Sequence, residues 1–359
     1  MTSGGDGMKK IIIFVLLLAL LLSGCSSWMD GECHSVKLHA SDGNQLSDDV
    51  VTVTGYNDLR DALVDMVESG RQNSTIYISG FPLEEVDQYM NTAIMHVFQN
   101  SAIGAYAVDE ITYESGTSGG VAAIAVDVTY IHSRQEILRI KPAQDVSAVK
   151  NFIAASLRNC ESSVVIKVEE YIGIDVEQYV KEYVDTNPHL CMELPQVSVS
   201  VYPKQGRERV LEIFLTYQNS RTDLQVMQNI VTPIFAAAEL YVQSSDGALQ
   251  KYEQLFSFLM ERFDYKYETS ITPVYSLLRY GVGDSKAIAM VYSIMCQNAD
   301  LECQVVSGTK NGEAYYWNMI CFDDTDYHID LLASSEAGEF IPMVADEMTG
   351  YVWDYNMYQ

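Results

Sequence analysis

Residues 281–334 read GVGDSKAIAMVYSIMCQNADLECQVVSGTKNGEAYYWNMICFDDTDYHIDLLAS. Asp284 and Ser285 precede an apolar run of helical period, and Asp and Ser are preferred residues at a helix start, so a helix is predicted to begin here. Strand-forming runs follow. The first is predicted to end in a turn at Gly308, the second carries Trp317, and the third ends at Asp330. The stretch therefore predicts one helix followed by three strands.

This order of elements resembles the transglutaminase-like superfamily of papain-like folds. The family pattern is a Gly-x-Gly-x-Cys loop opening a helix that has Ala four residues later. A strand with a Gly-containing turn, a strand with His-x-Trp-Asn and a strand ending in Asp then follow. Here Gly281-Val282-Gly283-Asp284 opens the helix, and Ala289 lies four residues after Ser285. The resemblance covers about 110 residues and implies an α+β domain over residues 245–359.

The family's catalytic Cys, His and Asp positions hold Ser285, Tyr315 and Asp330 in this chain. The resemblance implies a thiolate nucleophile, stabilised by the helix N-terminus and by an imidazolium. A serine hydroxyl instead needs a true base. A tyrosine, with a reference pKa of about 10, is a neutral donor at pH 7 and does not supply one. The replacements therefore predict a catalytically degenerate domain.

The same positions have simpler structural interpretations. Asp284 and Ser285 fit as helix caps, and Tyr315 fits as a packed strand residue that hydrogen-bonds Asp330. We also expect a residual binding cleft at these positions, with three further lining residues: Asp284, Trp317 and Asn318.

His328 is an alternative base. It precedes Asp330 by two residues on a predicted strand, so the two side chains are expected to share one face. If that face met Ser285, a relocated Ser-His-Asp arrangement would result. A structural histidine is the competing interpretation.

The N-terminus has the parts of a secretory signal peptide. Two lysines precede the apolar run 11–22, which is too short to span a bilayer as an ordinary membrane helix. Leu22-Ser23-Gly24-Cys25 resembles the bacterial lipobox, which implies cleavage after residue 24 and lipidation of Cys25. We therefore expect a tether over residues 25–50 and a location on the extracytoplasmic face of a bacterial membrane, in an envelope of undetermined type.

Charge and cysteine usage narrow the possible partners. The formal net charge of −27 disfavours nucleic acid, whose phosphates an acidic surface repels. The cysteines form no CxxC pair, so neither a metal site nor a cofactor is predicted. A disulfide between Cys303 and Cys321 on the predicted hairpin and buried free thiols both remain open.

An internal repeat organises the middle of the chain. Val86-Asp87-Gln88-Tyr89-Met90 recurs as Val176-Glu177-Gln178-Tyr179-Val180, and Ser133-Arg134 recurs as Ser220-Arg221. We expect two α+β modules, 51–141 and 142–244, each with the order helix, strand, helix, strand, strand.

Three functions follow from these patterns. The first is a surface lipoprotein whose degenerate domain binds or scaffolds peptide or cell-wall ligands. The second is an active hydrolase or acyl-transferase that uses Ser285 with a relocated base. The third is a pair of adhesive repeat modules with a C-terminal cap.

Overall fold

The computed structural model describes residues 51–261 and 266–358. These described residues form one compact unit. The predicted signal peptide, the lipidation site Cys25 and the tether lie outside the described residues. Within the described ranges, no helix combines the length and apolarity needed to cross a membrane.

The first sheet is built from the chain that follows residue 50. Its elements are β1 (Val51–Val53), α1 (Tyr56–Glu68), β2 (Asn73–Ile78), α2 (Val86–Gln99), α3 (Ala102–Ala107), β3 (Val108–Ser118) and β4 (Val121–Tyr130). The strand order is β1-β2-β4-β3, with β1 and β2 parallel and the other pairs antiparallel. Leu59 and Leu63 of α1, and Met90 and Val97 of α2, are fully buried against this sheet. Leu59 and Leu63 are four residues apart and Met90 and Val97 are seven apart, so each pair lies on one face of its helix, which explains why these segments are helices.

The second sheet repeats this pattern. Its elements are α4 (Arg134–Leu138), β5 (Lys141–Ala143), α5 (Val146–Arg158), β6 (Ser163–Val168), α6 (Val176–Thr186), β7 (Gln196–Tyr202) and β8 (Arg209–Thr216). The order is β5-β6-β8-β7, again with one parallel pair followed by two antiparallel pairs. Ser133 and Ser220 both cap helices, and Arg134 and Arg221 both donate to a backbone carbonyl. In both recurring Ser-Arg pairs the serine therefore caps a helix and the arginine binds a distant part of the backbone.

Each sheet contains one strand that the predicted five-element order lacks. β1 and β5 are three residues long, which is too short for a period-two pattern, so hydrophobic periodicity does not predict them. The predicted module boundary between residues 141 and 142 consequently falls inside β5, which pairs with β6.

The C-terminal part contains the remaining elements. They are α7 (Arg221–Tyr241), α8 (Ala248–Met260), β9 (Lys266–Tyr267), α9 (Pro273–Tyr280), β10 (Val282–Gly283), α10 (Ser285–Asn298), β11 (Cys303–Lys310), β12 (Glu313–Phe322), β13 (Thr325–Ile329), α11 (Leu331–Ala337) and β14 (Tyr351–Trp353). The antiparallel sheet has the order β13-β12-β11-β14. α10 lies against it, with Val291 and Met295 fully buried.

Helix α7 packs with this C-terminal core. Leu224, Val231 and Phe235 are buried in the same cluster as Tyr252 of α8 and Tyr292 of α10. The predicted boundary at residues 244 and 245 therefore separates α7 from the core that buries it. Residues 244–247 form a surface turn between α7 and α8.

The β11–β12 hairpin corrects the predicted turn at Gly308. The strand continues to Lys310, and the turn is formed by Asn311 and Gly312, whose φ angles of 53° and 88° fit a two-residue hairpin loop. Gly308 lies inside the strand, and a glycine is required there because Trp317 and β14 approach the backbone closely. A Cβ at this position would lie 2.7 Å from the Trp317 ring and would also clash with the Val352 carbonyl.

The same register excludes the Cys303–Cys321 disulfide. Cys303 pairs with Ile320, so Cys321 points to the other face of the sheet. All five cysteines in the described part of the chain are free.

Gly308→Ala is expected to lower the free energy of unfolding by about 1–3 kcal/mol, because the new methyl group has no space. Gly116→Ala is the matched control, since a Cβ at this strand glycine meets nothing within 4 Å. Urea unfolding followed by tryptophan fluorescence measures both. Equal stability of the two variants would contradict the close approach.

Candidate functional site

The carboxylate of Asp330 is the centre of the candidate site. Asp330 is 2% exposed and follows β13 as the N-cap of α11. Its Oδ1 accepts from the Tyr315 hydroxyl at 3.0 Å and from the backbone N–H groups of Leu332 and Ala333, both at 3.1 Å. Its Oδ2 accepts from Lys310 Nζ at 2.7 Å and from the Tyr351 hydroxyl at 2.6 Å. Five donors thus surround one buried carboxylate.

The donors remain protonated near neutral pH. Burial, together with the neighbouring Asp330 charge, raises the pKa of Tyr315 far above its usual value. Burial and the hydrogen bond to Asp330 raise the pKa of Tyr351 to about 12. Burial alone would lower the pKa of Lys310, but the hydrogen bonds to Asp330 and Tyr351 outweigh it and raise that pKa. The network therefore contains a carboxylate, an ammonium and two neutral phenols, and none of the three donor side chains is a general base.

Ser285 lies at the first position of α10 and is 5% exposed. Its Oγ accepts the backbone N–H of Tyr316 at 3.2 Å, so it links the helix to β12. The helix is capped by Asp284, whose Oδ1 accepts from Ala287 N at 2.9 Å. The expectation that Ser285 shares the capping is therefore wrong, because its hydroxyl is directed toward the sheet.

The cavity at Ser285 is very small. Its volume is about 10 Å³, and its walls include Ser285, Tyr315, Tyr316, Asn318 and Asp330. This is about the space of one water molecule. Sites for small organic ligands are typically about 300–1,000 Å³. The predicted residual cleft at this position is therefore filled by the protein's own side chains.

Trp317 and Asn318 are both structural. Trp317 is 1% exposed and packs against Tyr351 and Trp353 of β14. Asn318 is fully buried, and its Nδ2 donates to the Ala289 carbonyl at 2.8 Å, which joins β12 to α10. Asp284 also contributes to a different cavity from that of Ser285. The structure does not bring Asp284, Trp317 and Asn318 together into one open cleft.

His328 is not placed as a base for Ser285. Its Nδ1 accepts from Trp317 Nε1 at 3.0 Å, and its ring packs 4.7 Å from that of Trp353. A neutral imidazole has one acceptor nitrogen, and the indole already uses it. His328 is also absent from the walls of the Ser285 cavity. This arrangement favours the interpretation of His328 as a structural histidine over that of a relocated base.

Lys310 and Tyr351 belong to the site but were not anticipated from the sequence. Lys310 precedes the Asn311–Gly312 turn, where a lysine usually indicates only solvent exposure. Tyr351 lies beyond the stretch 281–334 that carries the motifs of the resemblance, on a three-residue strand. Only the pairing of β14 with β11, which sets Lys310 opposite Tyr351, brings both to Asp330. Among the described residues, no group of three or more His, Cys, Asp or Glu side chains is arranged to hold a metal ion.

Asp330→Asn is expected to lower the free energy of unfolding by about 2–3 kcal/mol, because it leaves the Lys310 ammonium without its counter-charge. Asp326→Asn is the control, since Asp326 is exposed on β13 and its replacement is expected to change stability by less than about 0.5 kcal/mol. Chemical denaturation at pH 7 gives both values. Similar small effects for both variants would contradict a buried charge network.

Acid is expected to destabilise the fold through His328. Burial lowers its pKa below the ordinary value, so the unfolded chain binds more protons and the free energy of unfolding falls as the pH drops below about 6.5. His328→Gln keeps an acceptor for Trp317 but does not titrate. Urea unfolding between pH 7.5 and 5.5 should show a shallower decline in this variant. Parallel pH profiles for wild type and variant would refute the assignment.

Two parts of the chain match known protein families. Residues 236–331 match the transglutaminase-like superfamily, and residues 8–26 match the prokaryotic membrane lipoprotein lipid attachment site. A search of curated proteins found no match.

Two solved structures are similar to parts of the chain. One, described as the crystal structure of a TGase, is 11% identical with a TM-score of 0.26, and the alignment covers 54% of this chain and 58% of that one. A putative protease from Parabacteroides distasonis is 8% identical with a TM-score of 0.24, and coverage is 72% and 40%. The chain thus spans about half the length of these structures. The two matches give the chain a prokaryotic lipoprotein lipid attachment site at its N-terminus and a transglutaminase-like domain in its C-terminal part.

Proposed function

We propose that this lipoprotein is displayed on the extracytoplasmic face of the membrane and that its transglutaminase-like domain is catalytically inactive, with a binding or scaffolding role toward peptide or cell-wall ligands. The lipid attachment site supports the location. The surroundings of Asp330 carry the proposal of inactivity.

The Asp330 carboxylate has no capacity left for a catalytic role. A carboxylate offers about four lone-pair sites, and this one accepts from five donors. In a catalytic triad the acid orients an imidazole by accepting its N–H. Here Tyr315 occupies that place, and Lys310 neutralises the charge that would stabilise an imidazolium. The residues form a closed structural network.

Ser285 lacks the partners of an activated nucleophile. A serine is activated by a base within about 2.6–3.2 Å of its hydroxyl. The group found in that range is the Tyr316 N–H, which is a donor. The surrounding cavity of about 10 Å³ also leaves no room for an acyl group. Both observations support loss of turnover.

The full chain in detergent is expected to show no amidase, transamidation or ester-hydrolysis activity above background. The double variant Ser285→Cys, Tyr315→His should also remain inactive, since Lys310 and Tyr351 would still occupy Asp330 and the cavity would still be closed. Assays with glutamine-containing peptides plus a primary amine, and with p-nitrophenyl acetate, test this.

Ser285→Ala is the control that gives the assay its meaning. Any wild-type turnover that persists in Ser285→Ala comes from a contaminant or from another site. Turnover that disappears in Ser285→Ala would overturn the proposal and favour an active hydrolase.

A further inference from the structure

A much larger cavity lies beside the closed Ser285 position. It has a volume of about 380 Å³ and is walled by α6, α10, β11 and Tyr316 of β12. This volume is in the range of small-ligand sites. Met290 and Ile294 of α10 provide apolar wall, whereas Gln297 and Gln304 provide amide groups. The second sheet, through α6, and the transglutaminase-like domain therefore build this cavity jointly.

Two lysines give this cavity a positive charge in a strongly acidic protein. Lys286 Nζ lies 2.6 Å from Asp185 Oδ1, and Lys181 Nζ lies 3.3 Å from Asp185 Oδ2. Both ammonium groups therefore converge on one carboxylate, and Asp185 is the only acid in the described cavity wall. The local net charge is +1, whereas the whole chain carries −27. Each ammonium has three donor positions, so a second carboxylate can be accommodated beside Asp185.

The wall also includes an incompletely paired strand. β11 pairs with β12 over its whole length, but it pairs with β14 only from Gly308 to Lys310. On that open side, Ser307 N–H donates to the Tyr358 hydroxyl and the Cys303 carbonyl accepts from Ser293. Val305 lies midway between Cys303 and Ser307 on β11. Because the direction of the backbone N–H and C=O groups alternates from residue to residue in an antiparallel pair, both groups of Val305 point to the same side as those of its two neighbours, toward the cavity. An open strand edge of this kind binds extended peptides by β-augmentation.

The position of the lysines sets the direction of such a peptide. Tyr316 pairs with Ser307, and Lys286 Nζ lies 5.8 Å from the centre of the Tyr316 ring. Lys286 is therefore at the Ser307 end of the open edge. A peptide whose C-terminal carboxylate reaches Lys286 and Lys181 must run parallel to β11, with its preceding residue beside Val305.

We propose that this cavity binds the free C-terminal end of a short extended peptide, through its carboxylate at Lys181 and Lys286 and its backbone at Val305. The inference deepens the binding role proposed above and moves it from the Ser285 position to the α6–β11 cavity. Asp185 acts there as an internal competitor of the ligand carboxylate.

Isothermal titration of the full chain in detergent tests the site. The probes are N-acetyl-trialanine with a free carboxylate, the same peptide amidated at its C-terminus, and acetate. The free acid is expected to bind at least ten-fold more tightly than the amide or acetate. Equal affinity for acid and amide, affinity for acetate equal to that for the peptide, or no binding would overturn the proposal.

Three substitutions test whether the charged groups of this cavity bind the peptide carboxylate. Lys286→Gln should weaken binding of the free acid at least ten-fold, and its fold is expected to persist because Asp185 keeps Lys181. Asp185→Asn should tighten binding, because it releases both ammonium groups to the ligand. Lys204→Gln, an exposed lysine outside the cavity wall, should leave the affinity unchanged. Weaker binding in Asp185→Asn, or an equal loss in Lys204→Gln, would contradict the assignment.

The catalytic assay remains independent of this outcome. Turnover that depends on Ser285 would refute the inactive domain, whereas the dependence of peptide affinity on Lys286 concerns only the ligand site.

Discussion

The buried carboxylate of Asp330 is the constraint on which the C-terminal domain depends. A charge that is 2% exposed is costly unless it is fully compensated, and here compensation comes from three separate parts of the chain. Lys310 belongs to β11, Tyr315 to β12 and Tyr351 to β14. The carboxylate therefore fixes the position of the C-terminal strand as well as the start of α11. Its hydrogen bonds connect the register of the sheet with the capping of α11.

The replacement of an imidazole by Tyr315 changes the role of this acid. A histidine at that position would use one acceptor site and leave its other nitrogen for chemistry. A tyrosine donates its only proton to the acid and offers nothing beyond it that can act as a base near neutral pH. Lys310 then adds a fixed positive charge beside the carboxylate. Stability of the network and loss of basicity thus follow from the same hydrogen bonds.

The sequence was sufficient for those features that depend on local pattern. The period of α10 and the capping by Asp284 are recorded in residues that lie within a few positions of each other. The hydrogen bond from Tyr315 to Asp330 was also predicted, because the family resemblance aligned both positions. Lys310 and Tyr351 could not be predicted in this way. Their role arises from the pairing of β14 with β11, a long-range register that no local periodicity specifies.

The hydrogen-bond partner of His328 is a second feature that local spacing does not determine. Its spacing from Asp330 on a strand correctly places it near the site, but spacing says nothing about which partner occupies its acceptor nitrogen. The Trp317 indole takes that role because Gly308 allows the ring to lie close to β11. Trp317 is thus held between a strand with no side chain at Gly308 and a histidine that accepts its N–H.

The two cavities differ in size and in charge. The space beside Ser285 at the start of α10 is about 10 Å³, whereas the α6–β11 cavity is about 380 Å³ and is lined by two lysines. The α6–β11 cavity depends instead on the second sheet, which supplies Lys181 and Asp185 to complete a wall that the transglutaminase-like domain alone lacks. The two sites share α10 and Tyr316, but of the two only the α6–β11 cavity is lined by Lys181, Asp185 and Lys286. Lys286 directly follows Ser285, yet its side chain lines the other cavity. About 100° of rotation around α10 therefore separates the Ser285 hydroxyl from the charge that we assign to peptide recognition.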